Sequence, residues 1–247
     1  DTANFVDAHQ NRRGSLLYRI LLPALPLAPI LILILRQPHY SAIILILMIF
    51  VTMLLCGGCG LKWMPVMLTL GVAVVVVYLY SQENYVQTRL DGWQLFSYDT
   101  STMNDQNRQS VYSIASGGLF GLGIGNSRQK HQWLAEVAND FIFPVICEEL
   151  GFIGAVVCLV LFAALIVQGI LIALRAPDLF GSMMGIGIMG QIGWQVFCNV
   201  GVVTNTIPNT GISLPFFSSG GTSLLLRLGE MGIMLSISRV GNARIEE

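Results

Sequence analysis

Long apolar runs, separated by short polar breaks, constrain this chain more than any other feature. A helix needs about 20 mostly apolar residues to cross the hydrocarbon of a bilayer. Six segments reach or approach that length: 16–35, 40–58, 63–80, 150–174, 179–203 and 215–238. Apolar residues make up 54% of the chain and charged residues 11%, against about 25% charged in a soluble domain. A bilayer core holds no water to satisfy a loose amide or carbonyl, so runs this apolar are expected to be helices. The expected fold class is an all-α, polytopic membrane protein with six transmembrane helices, forming a single membrane domain over 1–247. A net charge of −1 gives no basis for a nucleic-acid partner. The polar opening stretch lacks a basic start followed by a short apolar core, so no signal peptide is expected.

Lysine and arginine positions orient the spans. With the N-terminus inside, the inner segments hold Arg12, Arg13, Arg19, Lys62, Arg175, Arg239 and Arg244, while the short outer connections hold only Arg36. Two outer loops follow from this orientation. One covers 81–140 and mixes Trp93, Phe96, Tyr98, Tyr112 and Trp133 with charges. A loop so long is usually functional or disordered, and its aromatic content argues for function. The other, 204–216, opens a stretch rich in Pro, Gly, hydroxyls and amides that continues through Ser218 and Ser219. Irregular backbone at membrane depth is tolerated only where it is buried or lines a wet cavity, so a shared extracytoplasmic site is expected where the two loops meet.

Several patterns carry chemistry, each beside a plainer reading. "SGGLFGLGIGNS" (116–127) is not a dinucleotide fingerprint and follows no strand pattern. Its glycines, Gly118 and Gly121 among them, could let backbone amides approach an anion or could serve tight turns alone; spacing leaves both open. Glu136 and Asp140 are four residues apart and share a face on a helix. Neighbouring carboxylates in a low-dielectric setting raise each other's proton affinity, which suits a general base; an interfacial helix with solvated charges is the alternative. Glu148 and Glu149 read as cap or salt-bridge partners, and, beside the resemblance given below, as supports of a loop–helix junction. Arg227 and Glu230 lie three apart in an apolar run, where an ion pair lowers the cost of burying each, and that structural role is preferred over a functional one. The five cysteines include one isolated CxxC, Cys56 to Cys59, without a second pair or a nearby histidine, and are read as structural. No Walker loop, HExxH or GxSxG is present.

Two long motifs and two short ones carry a specific resemblance. "SGGLFGLGIGNSRQKHQWLAEVANDFIFPVICEELGFIG" (116–154) and "IPNTGISLPFFSSGGTSLL" (207–225) resemble the paired signatures of the shape, elongation, division and sporulation family, which includes RodA, FtsW and SpoVE. "RQPHYSA" (36–42) is similar to its Q-P-D-x-G-T element and "SISR" (236–239) to its usual end. The chain departs from the family pattern at Ala135, where Pro is usual, at Ala138 and Asn139, where His and Thr are usual, and at His39 and Ser41. The family fold has ten helices, so the resemblance implies that this chain corresponds to the C-terminal part of that fold.

The resemblance implies a peptidoglycan glycosyltransferase in the bacterial cytoplasmic membrane. Such an enzyme polymerises lipid II into glycan strands at the outer face, with inversion at the sugar carbon and an undecaprenyl-pyrophosphate leaving group. It implies Asp140 as the catalytic base. Glu136, Lys130, Gln109 and Arg89 match family positions and are assigned to substrate binding, together with Arg128, Gly118, Gly121, Ser218 and Ser219. Arg89, Arg128 and Lys130 are candidates to meet the departing pyrophosphate. A divalent cation, Mg or Mn, and a class B penicillin-binding transpeptidase are implied as cofactor and partner, with membrane lipid around the chain. Two rival readings are a lipid II flippase, which needs a polar path across the bilayer, and an inactive scaffold for the transpeptidase.

Overall fold

The computed structural model describes residues 25–37, 40–57, 105–127 and 139–243. Every regular element among them is an α-helix: α1 Leu27–Leu35, α2 Tyr40–Cys56, α3 Asp105–Ser116, α4 Ile142–Leu174, α5 Leu179–Val203 and α6 Gly221–Ala243. Helices α4 and α5 are long and apolar enough to cross a membrane, and α2 is apolar but shorter. The expected span 63–80 and the first part of 16–35 lie outside the described residues. The chain forms two compact units, one of Asp1–Val75, Leu165–Trp194 and Leu228–Glu247, the other of Val76–Ala164 and Gln195–Arg227.

The first unit is joined mostly by close apolar packing. The α5 glycines mark where neighbours come near: a Cβ at Gly185 would stand 2.7 Å from the Ala173 Cβ, and one at Gly190 would stand 3.4 Å from the Thr52 methyl. Small residues of this kind let membrane helices approach, because van der Waals contact replaces the hydrophobic drive that lipid cannot supply. One polar link crosses α2 and α5. The Thr52 hydroxyl donates back to the Met48 carbonyl at 2.8 Å and accepts the Trp194 indole N–H at 3.0 Å. Before α5, the Asp178 carboxylate accepts the Gly181 amide at 2.8 Å and caps the helix. Three residues past the end of α4 stands Pro177, as expected of a residue that cannot continue a helix.

The second unit holds α3, the first part of α4, the last part of α5, and the irregular segment that ends before α6. Its apolar centre includes Phe141, Phe143, Val145, Val202, Val203 and Leu214. Three boundaries differ from the sequence expectation. Helix α4 carries a first part, from Ile142 to Leu150, ahead of the expected span 150–174, and Gly151 breaks the two parts from each other. Helix α6 starts at Gly221 rather than 215, so the irregular segment runs on through the Ser–Ser–Gly turn. The third difference is α3, a helix within the polar stretch 81–140 that hydropathy alone did not reveal.

Candidate functional site

Helix α4 is broken near its start. Gly151 adopts φ 70° and ψ −171°, far from helical values. A break strands amides and carbonyls on either side of it, and the glycine-rich turn after α3 supplies their partners. The Leu122 amide donates to the Glu148 carbonyl at 2.9 Å and the Gly123 amide to the Glu149 carbonyl at 3.0 Å. In return the Phe152 amide donates to the Gly118 carbonyl at 2.8 Å and the Ile153 amide to the Leu119 carbonyl at 3.2 Å. The two backbones lie so close that a Cβ at Gly117 would collide with the Cys147 carbonyl, one at Gly121 with the Glu149 carbonyl, and one at Gly151 with the Gly121 amide. The Gly121 amide itself donates to the Gly117 carbonyl at 2.8 Å. Gly118 differs: it is exposed, with φ 54° and open space where a Cβ would be.

Glu148 pins the same junction through its side chain. It is only 1% exposed, and burying a carboxylate is costly unless it is hydrogen-bonded. Its Oε2 accepts the Ser127 hydroxyl at 2.5 Å and the Ser113 hydroxyl at 3.1 Å. Ser113 also donates to the Pro144 carbonyl at 3.1 Å. The carboxylate thus ties α3, the end of the glycine turn and α4 together. This is the supporting role at the loop–helix junction expected of it beside the family resemblance.

Asp140 lies half-buried just before α4, and its Oδ2 would stand 3.5 Å from a Cβ placed on Gly211. Two connections bring the Asp140 segment to the 207–219 segment. First, the Asn199 side chain donates through Nδ2 to the Asp140 carbonyl and to the Ile212 carbonyl, both at 2.7 Å. Second, Ser218 donates to the Asn139 carbonyl at 2.6 Å, and Ser219 to the Asn139 Oδ1 at 3.0 Å. Phe216 sets up the second connection. Its φ of 66° is a rare value for a bulky residue; beyond it Phe217 packs against Phe162, with ring centroids 5.9 Å apart.

Helix α3 joins the far end of the same segment. Ser110 donates to the Val203 carbonyl at 2.7 Å, Asn107 to the Asn205 Oδ1 at 3.0 Å, and Asn209 to the Gln106 Oε1 at 3.1 Å. Asn205 takes φ 57°, a conformation that Asn accepts more readily than most side chains. Gln109 lies half-buried on α3. Glu136, Lys130, Arg89 and Arg128 lie outside the described residues. Sequence reading missed Asn199, Asn107 and Asn205. For Asn199 and Asn205 the signal was an amide at the end of an apolar run, where a polar side chain needs a partner; for Asn107, in a polar stretch, there was none.

The family signature fits this geometry, because the residues brought together come from its two motifs. The model of the FtsW, RodA and SpoVE family, described as cell cycle protein, matches residues 2–243. The chain belongs to this family. Its members are membrane proteins, in keeping with the apolar helices α4 and α5. Stage V sporulation protein E of Bacillus subtilis is 54% identical over 131 residues, covering 53% of this chain and 36% of that protein. FtsW of Bacillus subtilis, named a probable peptidoglycan glycosyltransferase, is 39% identical over 214 residues, covering 83% of this chain and 53% of that one. The chain therefore spans about half the length of the curated FtsW relatives it matches.

Two solved structures share the fold. One, concerned with the structural coordination of polymerization and crosslinking by a peptidoglycan synthase complex, is 27% identical with a TM-score of 0.74. It aligns over 95% of this chain and 66% of that one. The other, the rod shape determining protein RodA of Thermus thermophilus, is 26% identical with a TM-score of 0.64. There the shares are 96% of this chain and 60% of that one.

Proposed function

We propose that the protein containing this chain is a peptidoglycan glycosyltransferase that polymerises lipid II at the outer face of the cytoplasmic membrane. The observation that carries the reading is the joining of Asn139 and Asp140 to the 207–219 segment through Asn199, Ser218 and Ser219. These bonds hold the Asp140 segment from two sides, with Asp140 itself half-buried. The family membership and the relatives named for peptidoglycan synthesis support the substrate class.

In this mechanism the 4-hydroxyl of the acceptor sugar attacks C1 of the donor sugar. Asp140 takes the hydroxyl proton as the new C–O bond forms, and the bond from C1 to the undecaprenyl pyrophosphate breaks. Attack from the face opposite the leaving group inverts C1. A positioned base contributes about 10²–10⁴-fold. Glu136 stands four residues before Asp140 and supports its proton affinity by like charge. Arg89, Arg128 and Lys130 meet the pyrophosphate, and Gln109, Gly118, Gly121, Ser218 and Ser219 line the approach of the sugars.

A divalent cation, Mg or Mn, belongs to the same proposal. Mg²⁺ is commonly held by one or two carboxylates together with substrate phosphates, and Asp140 offers one such carboxylate. No three His, Cys, Asp or Glu side chains gather among the described residues, which leave out Glu136. When bound, the cation neutralises charge on the leaving group. Six spans corresponding to the C-terminal part of a ten-helix fold, outer loops at 81–140 and 204–216, and a class B penicillin-binding transpeptidase as partner complete the reading.

The test is lipid II polymerisation by the full-length protein with its transpeptidase. Asp140→Asn keeps the shape of the side chain but not its basicity, so glycan synthesis should drop by about 10²-fold or more. Wild-type turnover in that variant would remove Asp140 from the base role.

A further inference from the structure

Helix α5 can cross a membrane, yet near its C-terminal end it buries two amide side chains one turn apart. Gln195 is 9% exposed and Asn199 only 1%. Buried polar groups are nearly always hydrogen-bonded, and one that no protein group serves points to a bound water or ion. The Gln195 Oε1 and the Asn199 Oδ1 are both buried, and neither receives a hydrogen bond from the protein.

The orientation of the Asn199 amide is fixed. Its Nδ2 donates to the Asp140 carbonyl and to the Ile212 carbonyl, both at 2.7 Å. Turning the amide over would set its oxygen against two carbonyl oxygens. The Oδ1 therefore points away from those bonds and needs a donor of its own. Residues four apart share one face of a helix, with Cβ atoms about 5–6 Å apart, so the Gln195 amide borders the same space. An occupant serving both oxygens must donate twice. Water does so, and hydrogen bonds of about 2.8 Å on either side match a gap of that size. A cation fits less well, because both oxygens are neutral and a buried charge needs a countercharge.

We propose that one ordered water binds inside the second unit between Gln195 and Asn199, donating one O–H to the Gln195 Oε1 and the other to the Asn199 Oδ1. Two polar partners suffice to hold an internal water. With both ends of its amide engaged, Asn199 is locked in place, and through it so are the Asp140 and Ile212 carbonyls. Gln195 acts only through the water and Asn199, which makes it a positioning residue. The water site stands whether or not the protein is a glycosyltransferase.

The test is a crystal structure of the full-length protein at a resolution that shows ordered water, paired with thermal unfolding of Gln195→Leu in detergent. In the unaltered protein a density peak should lie within hydrogen-bond distance of both amide oxygens, and crystals soaked in thallium should show no anomalous signal there. Gln195→Leu should lose the peak and unfold at least about 2 °C lower, since the Asn199 oxygen is then left without a donor. Absence of the peak in the unaltered protein would overturn the proposal, as would a Gln195 Nε2 bonded directly to the Asn199 Oδ1, or thallium at the site. An unchanged or raised midpoint in Gln195→Leu would also overturn it, because exchanging an unserved amide for an apolar side chain is neutral or stabilising. Should that variant fail to fold, the density in the unaltered protein decides alone.

Discussion

Two irregular segments of the second unit are held in different ways. The turn 117–123 is fixed by main chain to main chain, across the break in α4. The segment 204–219 adds side chains to its main-chain bonds with α5: Asn199, Ser218 and Ser219 at one end, Ser110, Asn107 and Asn209 at the other. The first therefore requires glycine at 117, 121 and 151, and the second requires particular amides and hydroxyls. A turn held mainly by backbone is stiff and places surface. A loop held by side chains presents groups along an edge where chemistry can be varied one residue at a time.

The sharpest test of this contrast is Gly121→Ala. The new methyl meets the Glu149 carbonyl, and the residue sits at φ 77°. Strain and overpacking together should cost about 3–5 kcal/mol. Loss of folded protein in detergent after heating, followed by size-exclusion chromatography, measures it. Gly118→Ala shares the positive φ but has open space, so it should cost only about 1–2 kcal/mol. Equal losses for the two variants would mean that close backbone approach is not what the turn requires.

On the side-chain-held segment, Asn199→Asp should be next in size. It removes a donor shared by two carbonyls and sets a carboxylate against them. A cost of about 2–3 kcal/mol is expected from the unpaired groups, with polymerisation falling further than stability because Asp140 is released. Ser218→Ala should be milder, about 1 kcal/mol. The useful comparison there is residual glycan synthesis at a temperature where both variants remain folded. The smallest effect belongs to the exposed Arg108–Asp105 pair on α3: Arg108→Ala should leave the melting behaviour within about 1 kcal/mol of wild type, since surface pairs of this kind contribute little.

Helix content and the position of the site motifs were legible in the sequence because both are local. Apolar runs long enough for a bilayer leave the backbone few choices, and α5 follows its expected range of 179–203 without change. The starts of α4 and α6 were not legible. The part of α4 before Gly151 carries Glu148, and it is the hydroxyls of Ser113 and Ser127, 35 and 21 residues away, that satisfy the buried carboxylate. Helix α3 was hidden for a related reason: its buried face is made of Asn107, Ser110 and Ser113, so it shows no apolar stripe.

The sequence by itself determined that this chain is helical, that it is suited to lipid, and that it bears two signature motifs of one family. Those conclusions follow from composition, run length and residue order, none of which needs a partner elsewhere in the chain. Tertiary structure decided what joins the motifs. Asn199 reaches the carbonyls of both Asp140 and Ile212, Ser218 and Ser219 reach Asn139, and Gly151 opens α4 to receive the glycine turn. Each of these satisfies a polar group left over by local structure, and which distant residue can do so depends on where the folded chain places it.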